Sequence, residues 1–321
     1  PGNYFYNGIG HVTVDYGKVL TYGYSKYIEE VKDELASIKV SDGNYCKKHA
    51  FLEAVLISLK AVIRYAKRYA RLAEDMAKNE SDPKRKAELL KIAENCDRVP
   101  EYGARNFYEA CQSFWFVQML LQVESSGHSI SPGRFDQYMY PFYEKSRNEG
   151  MSRETAQEYI DCIWVKLNKC RDEVSAEGFA GYSLFQNLIA GGQNTRGEDA
   201  TNDLSFMTIT ATEHVFLPQP SFSVRVWNGS PHEFLIRAAE LTRTGIGFPA
   251  YYNDEVIIPS LMSRGLTLED ARDYNIIGCV EPQKSGKTDG WHDAAFFNMV
   301  RPLEMVFKNG VEDGEKVGPQ T

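Results

Sequence analysis

Asn275-Ile276-Ile277-Gly278-Cys279-Val280-Glu281-Pro282-Gln283, with Gly290-Trp291-His292-Asp293 a few residues on, sets a thiol two positions from a carboxylate. Glycine stands before the cysteine and proline after the glutamate. Side chains of an extended chain repeat every two residues, so an extended reading aims Cys279 and Glu281 to the same side. A sulfur able to accept hydrogen and a base then share one pocket. A bare Cys-x-Glu read alone is a buried cysteine and a surface glutamate at a strand end.

Outward from this stretch, short apolar runs alternate with amphipathic ones from about Tyr182 onward. Leu184 to Ala190, Ser221 to Trp227 and Tyr274 to Val280 read as strands. Ser230-Pro231-His232-Glu233 reads as a capping box with Pro in the first turn, and Thr267-Leu268-Glu269-Asp270 as a similar helix start. The N-terminal half is helical in pattern. Phe51, Leu52, Val55, Leu56, Leu59, Val62 and Ile63 recur at helical spacing, and the pattern runs on toward Met76. Asp82-Pro83 opens a second helix, Arg105 to Val123 forms another, and Ser152 caps one over Thr155 to Leu167. Residues 1 to 24, rich in Gly, Tyr and β-branched residues, read as loops with a short strand. Strands alternating with helices argue for an α/β architecture, a barrel being one form of it. No repeat or linker divides the chain, so 1–321 reads as one domain. Both ends read as cuts through a longer protein.

The bulk properties narrow the function classes. The chain has 321 residues, 43% hydrophobic and 25% charged, with a net charge of −8. That balance fits a globular protein and disfavours a phosphate backbone as partner. No apolar run approaches the ~20 residues of a membrane helix. The richest, Phe114 to Leu121, is broken by Gln118 and reads as a buried helix. The six cysteines form no Cys-x-x-Cys pair, and they read as reduced and intracellular. Apart from Cys279 they read as small buried hydrophobes. A Gly-x-Gly-x-x-Gly fingerprint, a phosphate loop and a His-Glu-x-x-His signature are all missing, so neither a metal nor a nucleotide cofactor is implied.

Two further segments carry candidate chemistry. Gly8-Ile9-Gly10-His11-Val12-Thr13-Val14-Asp15-Tyr16 contains a histidine that, read alone, is a hydrogen-bonded loop residue. Glu124-Ser125-Ser126-Gly127-His128-Ser129-Ile130-Ser131-Pro132-Gly133-Arg134-Phe135-Asp136 reads as a Gly/Ser loop between two helices, with Ser131 and Pro132 starting the second.

The run from Ala271-Arg272-Asp273-Tyr274 through Gly278-Cys279-Val280-Glu281-Pro282 closely resembles the active-site cysteine loop of the glycyl radical enzymes. With the two segments above and Asp293, it resembles the cobalamin-independent glycerol and propanediol dehydratase branch. Arg98 to Ala104, Pro218 to Val226 and Ser263 to Tyr274 look family-like too. The resemblance implies that Cys279 becomes a transient thiyl radical and Glu281 takes a proton from a substrate hydroxyl. A carboxylate in a dry pocket is expected to have a raised pKa that suits it to this task. His11 is the first choice of general acid for the departing water, with His128 as the other candidate. His128, Ser129, Asp293 and Asn3 match the positions that hold the diol. Val280 stands where formate-lyase members carry a second cysteine, which disfavours acyl transfer.

What the resemblance implies for the whole protein follows. The fold is a ten-stranded α/β barrel with surrounding helices, represented here in part. The cofactor is a protein-derived glycyl radical on a C-terminal segment of the type Arg-Val-x-Gly-Tyr, which does not occur in these residues; Arg98-Val99-Pro100-Glu101-Tyr102 has Glu in place of the glycine. The 321-residue chain alone is therefore expected to be inactive. The partners are a small polyol and a radical S-adenosylmethionine activating enzyme. The enzyme is expected to be a cytoplasmic, anaerobic homodimer, with a microcompartment as one location. Hydroxyproline dehydratase and choline lyase branches share the Cys-Val-Glu core and stand as alternatives. A cysteine hydrolase and an inactive paralogue stand behind them.

Overall fold

The computed structural model describes residues 10–125, 129–174, 184–288, 298–318 and 320, with no side-chain description for 170–174. The N-terminal half is a helical layer: α1 (Tyr16–Ser37), α2 (Tyr45–Asn79), α3 (Pro83–Arg98), α4 (Phe107–Ser125), α5 (Phe135–Tyr138), α6 (Tyr140–Asn148) and α7 (Arg153–Val174). The sequence starts several of these where capping chemistry demands. The Asp82 carboxylate accepts from Lys84 N–H at 3.0 Å just before Pro83, and Ser152 Oγ accepts from Thr155 N–H at 3.0 Å. Residues 16–24 are helix rather than loop. Asp15 caps Tyr16–Ser37, so the β-branched run before it misled the sequence reading.

The second half alternates: β1 (Leu188–Gly191), α8 (Asp203–Val215), β2 (Phe222–Val226), α9 (His232–Arg243), β3 (Ala250–Asn253), α10 (Asp254–Ser263), α11 (Leu268–Arg272), β4 (Tyr274–Ile277) and β5 (Glu281–Lys284). Then come α12 (Val300–Phe307) and a small hairpin of β6 (Val311–Glu312) and β7 (Glu315–Lys316). The helix at His232 is not opened by a capping box. Pro231 is its N-cap and Ser230 Oγ accepts instead from Trp227 N–H at 3.0 Å.

Strands β1, β2 and β3 form a parallel sheet in chain order, with Leu188 beside Phe222 and Ser223 beside Ala250. A bridge from Gly133 to Leu188 extends it, and a second parallel bridge joins Val12 to Ile130. Alternation along the strands assigns the two faces. Leu188, Ala190, Phe222 and Val224 pack with Phe114, Phe135, Ile160 and Trp164 of the helical layer. Ile189 points the other way and packs with Tyr274 and Ile276 of β4. Phe222-Ser223-Val224-Arg225-Val226 therefore keeps its apolar side on the helices and turns Ser223 and Arg225 inward. The inner face of the sheet carries the hairpin that holds Cys279. Cys96 and Cys111 are buried, whereas Cys46 and Cys162 are exposed, contrary to their reading as buried hydrophobes; all four are free.

Candidate active site

The quoted stretch is a hairpin, not one extended strand. β4 and β5 pair antiparallel from Tyr274 beside Lys284 to Ile277 beside Glu281. Gly278, Cys279 and Val280 form the turn between them, and Gly278 has φ +57°. A short loop with glycine in the left-handed region is a favoured hairpin closure. Cys279 thus sits at the apex and Glu281 at the top of the returning strand. Strand alternation is not what relates them. Cys279 is exposed at this apex.

Glu281 is held from two sides. Its Oε1 lies 2.9 Å from His11 Nδ1, and its Oε2 accepts from Val280 N–H at 2.9 Å. Burial pushes the Glu281 carboxyl up, but the His11 hydrogen bond, the Val280 N–H and the His11 charge outweigh it and hold the pKa below the ordinary glutamate value. The expected raised pKa is therefore corrected. A half-buried carboxylate with two donors is kept ionised by them.

The His11 segment is stitched to both strands of the hairpin. Gln283 Nε2 donates to His11 C=O at 3.5 Å, Asn275 Nδ2 to Thr13 Oγ1 at 2.6 Å, and Gly286 N–H to Thr13 C=O at 3.1 Å. His11 itself is 4% exposed and has φ +51°. The Val12–Ile130 bridge then ties in the Ser129 segment, since His11 and Ser129 each precede a bridge partner. Ser129 is buried at φ +53°, and its Oγ has no hydrogen-bond partner among the described residues. A buried hydroxyl without a partner is costly unless something else fills its valence. Gln118 Nε2 and Gln122 Nε2 both donate to Ile130 C=O, at 2.7 and 3.3 Å, which fixes this segment from α4.

Three positioning groups escaped the sequence reading. Ser131 does not start a helix, since α5 begins at Phe135. Its buried Oγ accepts from Gly278 N–H and Asn187 N–H, each at 3.2 Å, and donates to Phe185 C=O at 3.3 Å. Gly133, at φ +69°, lets the chain pass so close to Asn275 that a Cβ would lie 2.8 Å from its amide nitrogen. Tyr252, on β3, donates its O–H to Cys279 C=O at 2.9 Å. Burial raises its pKa, with Glu281 and Cys279 adding to the shift.

The root of the hairpin is clamped by buried charges. Arg225 and Asp254, both with fully buried side chains, meet through two bonds of 2.8 and 2.9 Å. Arg225 Nη1 also donates to Tyr274 C=O, and Tyr274 O–H to Asp254 Oδ1. Just before β4, Asp273 accepts from Arg134 at 2.8 Å and from Lys284 of β5 at 2.6 Å. Burial pushes the Asp273 carboxyl up, but these cations outweigh it and the net shift is down.

His11, Ser129, Cys279 and Glu281 are thus brought into one neighbourhood. Asn3, His128 and Asp293 lie outside the described residues. Among the described residues no three His, Cys, Asp or Glu side chains gather as a metal-ligand group. No described helix is long and apolar enough to cross a membrane.

A parallel sheet carrying a cysteine hairpin, with a glutamate and histidine paired beside it, defines the class. The family model described as Pyruvate formate lyase-like matches residues 1–321, and the chain belongs to that family, the glycyl radical enzymes. Among solved structures, it is similar to that for 1,2-propanediol dehydration in Roseburia inulinivorans: 67% identity, TM-score 0.92, covering 100% of this chain and 41% of that one. It is also similar to the glycerol-bound B12-independent glycerol dehydratase from Clostridium butyricum, at 58% identity and TM-score 0.90, with 100% and 41% covered. The (2S)-3-sulfopropanediol dehydratase of Klebsiella oxytoca is 38% identical over an alignment of 329 positions that covers 99% of this chain and 39% of that protein. The chain therefore spans about 40% of the length of these relatives, and its sheet is part of a larger α/β barrel.

Proposed function

We propose that the complete protein is a glycyl radical diol dehydratase, converting glycerol to 3-hydroxypropanal or propane-1,2-diol to propanal. The observation that carries this reading is the 2.9 Å contact between His11 and Glu281 beside the Cys279 apex. The identities to propanediol and glycerol dehydration structures support the substrate class.

The glycyl radical, when present in the complete protein, would take the hydrogen atom of the Cys279 thiol and leave the unpaired electron on its sulfur. Cys279 Sγ takes a hydrogen atom from the hydroxyl-bearing terminal carbon: a C–H bond breaks and an S–H bond forms. Glu281 takes the proton of that hydroxyl. The electron-rich carbon then expels the neighbouring hydroxyl, which leaves as water with a proton from His11. Cys279 returns its hydrogen atom to the product carbon, and the aldehyde results. Ser129 Oγ, Asn3, His128 and Asp293 hold the hydroxyls.

The pair explains how a low-pKa carboxylate can serve as base. A hydrogen bond from His11 is what lowers Glu281 most after burial is set against it. As the hydroxyl proton passes to Glu281, His11 gives its Nε2 proton to the leaving water; its charge is lost while its Nδ1–H stays on Glu281, and the carboxylate becomes more basic in the same step. The released water then relays the proton held by Glu281 back to His11 Nε2. One proton enters and one leaves per turnover, so the pair ends as it began.

An anaerobic assay of the full-length parent protein after activation by a radical S-adenosylmethionine enzyme tests this. Glycerol, propane-1,2-diol, choline and hydroxyproline are offered side by side. Aldehyde from a diol, abolished in Cys279→Ala and Glu281→Gln while the glycyl radical signal persists, is the expected result. A radical signal without diol turnover would sink the diol reading and move the substrate to another branch.

A further inference from the structure

We propose that Gly278 is a positioning residue for the acid–base pair: the side chain it lacks leaves the space in which His11 and Glu281 meet. The inference rests on the dehydratase reading above and assigns to that site a residue that acts through the pair and has no side chain of its own. A Cβ built at Gly278 would lie 2.7 Å from Glu281 Oε2, 2.7 Å from His11 Cε1 and 2.7 Å from His11 Nδ1. It would therefore strike both partners of the contact at once.

None of the backbones involved has room to step aside. Gly278 N–H is bonded to the buried Ser131 Oγ, and the flanking residues Ile277 and Glu281 are paired across the hairpin. His11 is almost wholly buried, with its carbonyl held by Gln283 and its neighbours Val12 and Thr13 held by Ile130, Asn275 and Gly286. The Glu281 side chain, 17% exposed, is the part able to move. A methyl group at 278 drives it outward and opens the contact. The positive φ of Gly278 adds a separate backbone cost for any side chain there. That cost is the same whether or not an imidazole stands at position 11. The clash with the imidazole goes when the imidazole does, and a Glu281 side chain no longer held by His11 is free to swing clear of the methyl group, which separates the two.

The test is a double-mutant cycle in the activated full-length enzyme: parent, Gly278→Ala, His11→Ala and the double variant. Glycyl radical content, kcat, KM and Tm are measured with propane-1,2-diol. Gly278→Ala is expected to keep its radical signal and KM while kcat falls roughly a hundredfold, the scale of lost acid–base assistance. The double variant is expected to lie within about threefold of His11→Ala in kcat, because position 278 acts through the pair. Its Tm is expected to exceed that of Gly278→Ala, because removing the imidazole relieves the clash. If Gly278→Ala fails to fold, recovery of folding in the double variant supports the proposal, and failure of both overturns it. Losses in kcat that multiply, or a double variant no more stable than Gly278→Ala, also overturn it while leaving the dehydratase reading intact. Full activity in His11→Ala would instead sink the acid role of His11, and this inference with it.

Discussion

Glu281 shows how two opposing influences settle the state of one group. Burial pushes its pKa up, whereas the donors around it outweigh burial and keep it ionised. Its folded pKa lies below the unfolded one. The ionised form therefore stabilises the fold fully above the ordinary glutamate range, and this contribution is lost as pH falls through the depressed value. The acid limb of kcat/KM in the activated parent enzyme should accordingly lie below the ordinary glutamate value. In His11→Ala the residual activity should show that limb moved upward, since burial remains and its main counterweight is gone. A pH–rate series on both proteins checks this; an unmoved limb would show that another group sets it. Cys279 and Glu281 were singled out by the resemblance of the run around them, and the structure sets both at one end of the hairpin. The reason first given for their proximity, strand alternation, was wrong. The turn at 278–280 is what brings them to the same end of the hairpin, and only a paired partner strand reveals a turn.

The hairpin is an element whose tip and root are held by different means. At the tip, Tyr252 reaches from β3 to the carbonyl of Cys279. Tyr252→Phe removes one half-exposed hydrogen bond, which is worth about 1 kcal/mol. The expected result is a severalfold drop in kcat with KM held and little change in Tm. A change in KM alone would mean the phenol meets substrate rather than the loop. At the root, Arg225 and Asp254 are wholly buried and serve each other. Asp254→Asn leaves a buried guanidinium poorly compensated, at a cost of about 3–5 kcal/mol. Equilibrium denaturation should show the lower midpoint at an unchanged m-value. The sequence could not announce this pair. Arg225 sits in an alternating strand and Asp254 opens a helix, and each looks like a surface residue until the inner face of the sheet is covered. The long helices were legible because periodicity over many residues is a strong signal, and Asp82 and Ser152 marked their starts. Strand β3 was missed because Ala250 to Asn253 is short and not buried as a run.

At the scale of the 321-residue chain, the surface is uneven. The helix α12 shows Val300, Leu303, Val306 and Phe307 at 62%, 55%, 71% and 81% exposure, with Met299 beside them at 81%. An apolar face so open favours association or dye binding. The purified 321-residue chain should bind a hydrophobic dye, and Val306→Lys with Phe307→Lys should reduce that binding markedly; unchanged dye fluorescence would place the apolar site elsewhere. The overall architecture was legible chiefly through its alternation of strands and helices. Composition and periodicity carried no hint that residues near the start would stand beside the cysteine, because such pairing is a property of topology.

That separation along the chain sets a timetable. Gln283 and His11 are 272 positions apart, and Asn275 and Thr13 are 262 apart. At ribosomal speeds of about 5–20 residues per second, the histidine emerges roughly 15–55 s before the glutamate that it will meet. No nascent chain shorter than the hairpin can hold the pair, however well its helices have formed. The proton-handling centre comes into being only after every strand beneath it has been made, so its presence in a molecule certifies that synthesis through the hairpin is finished.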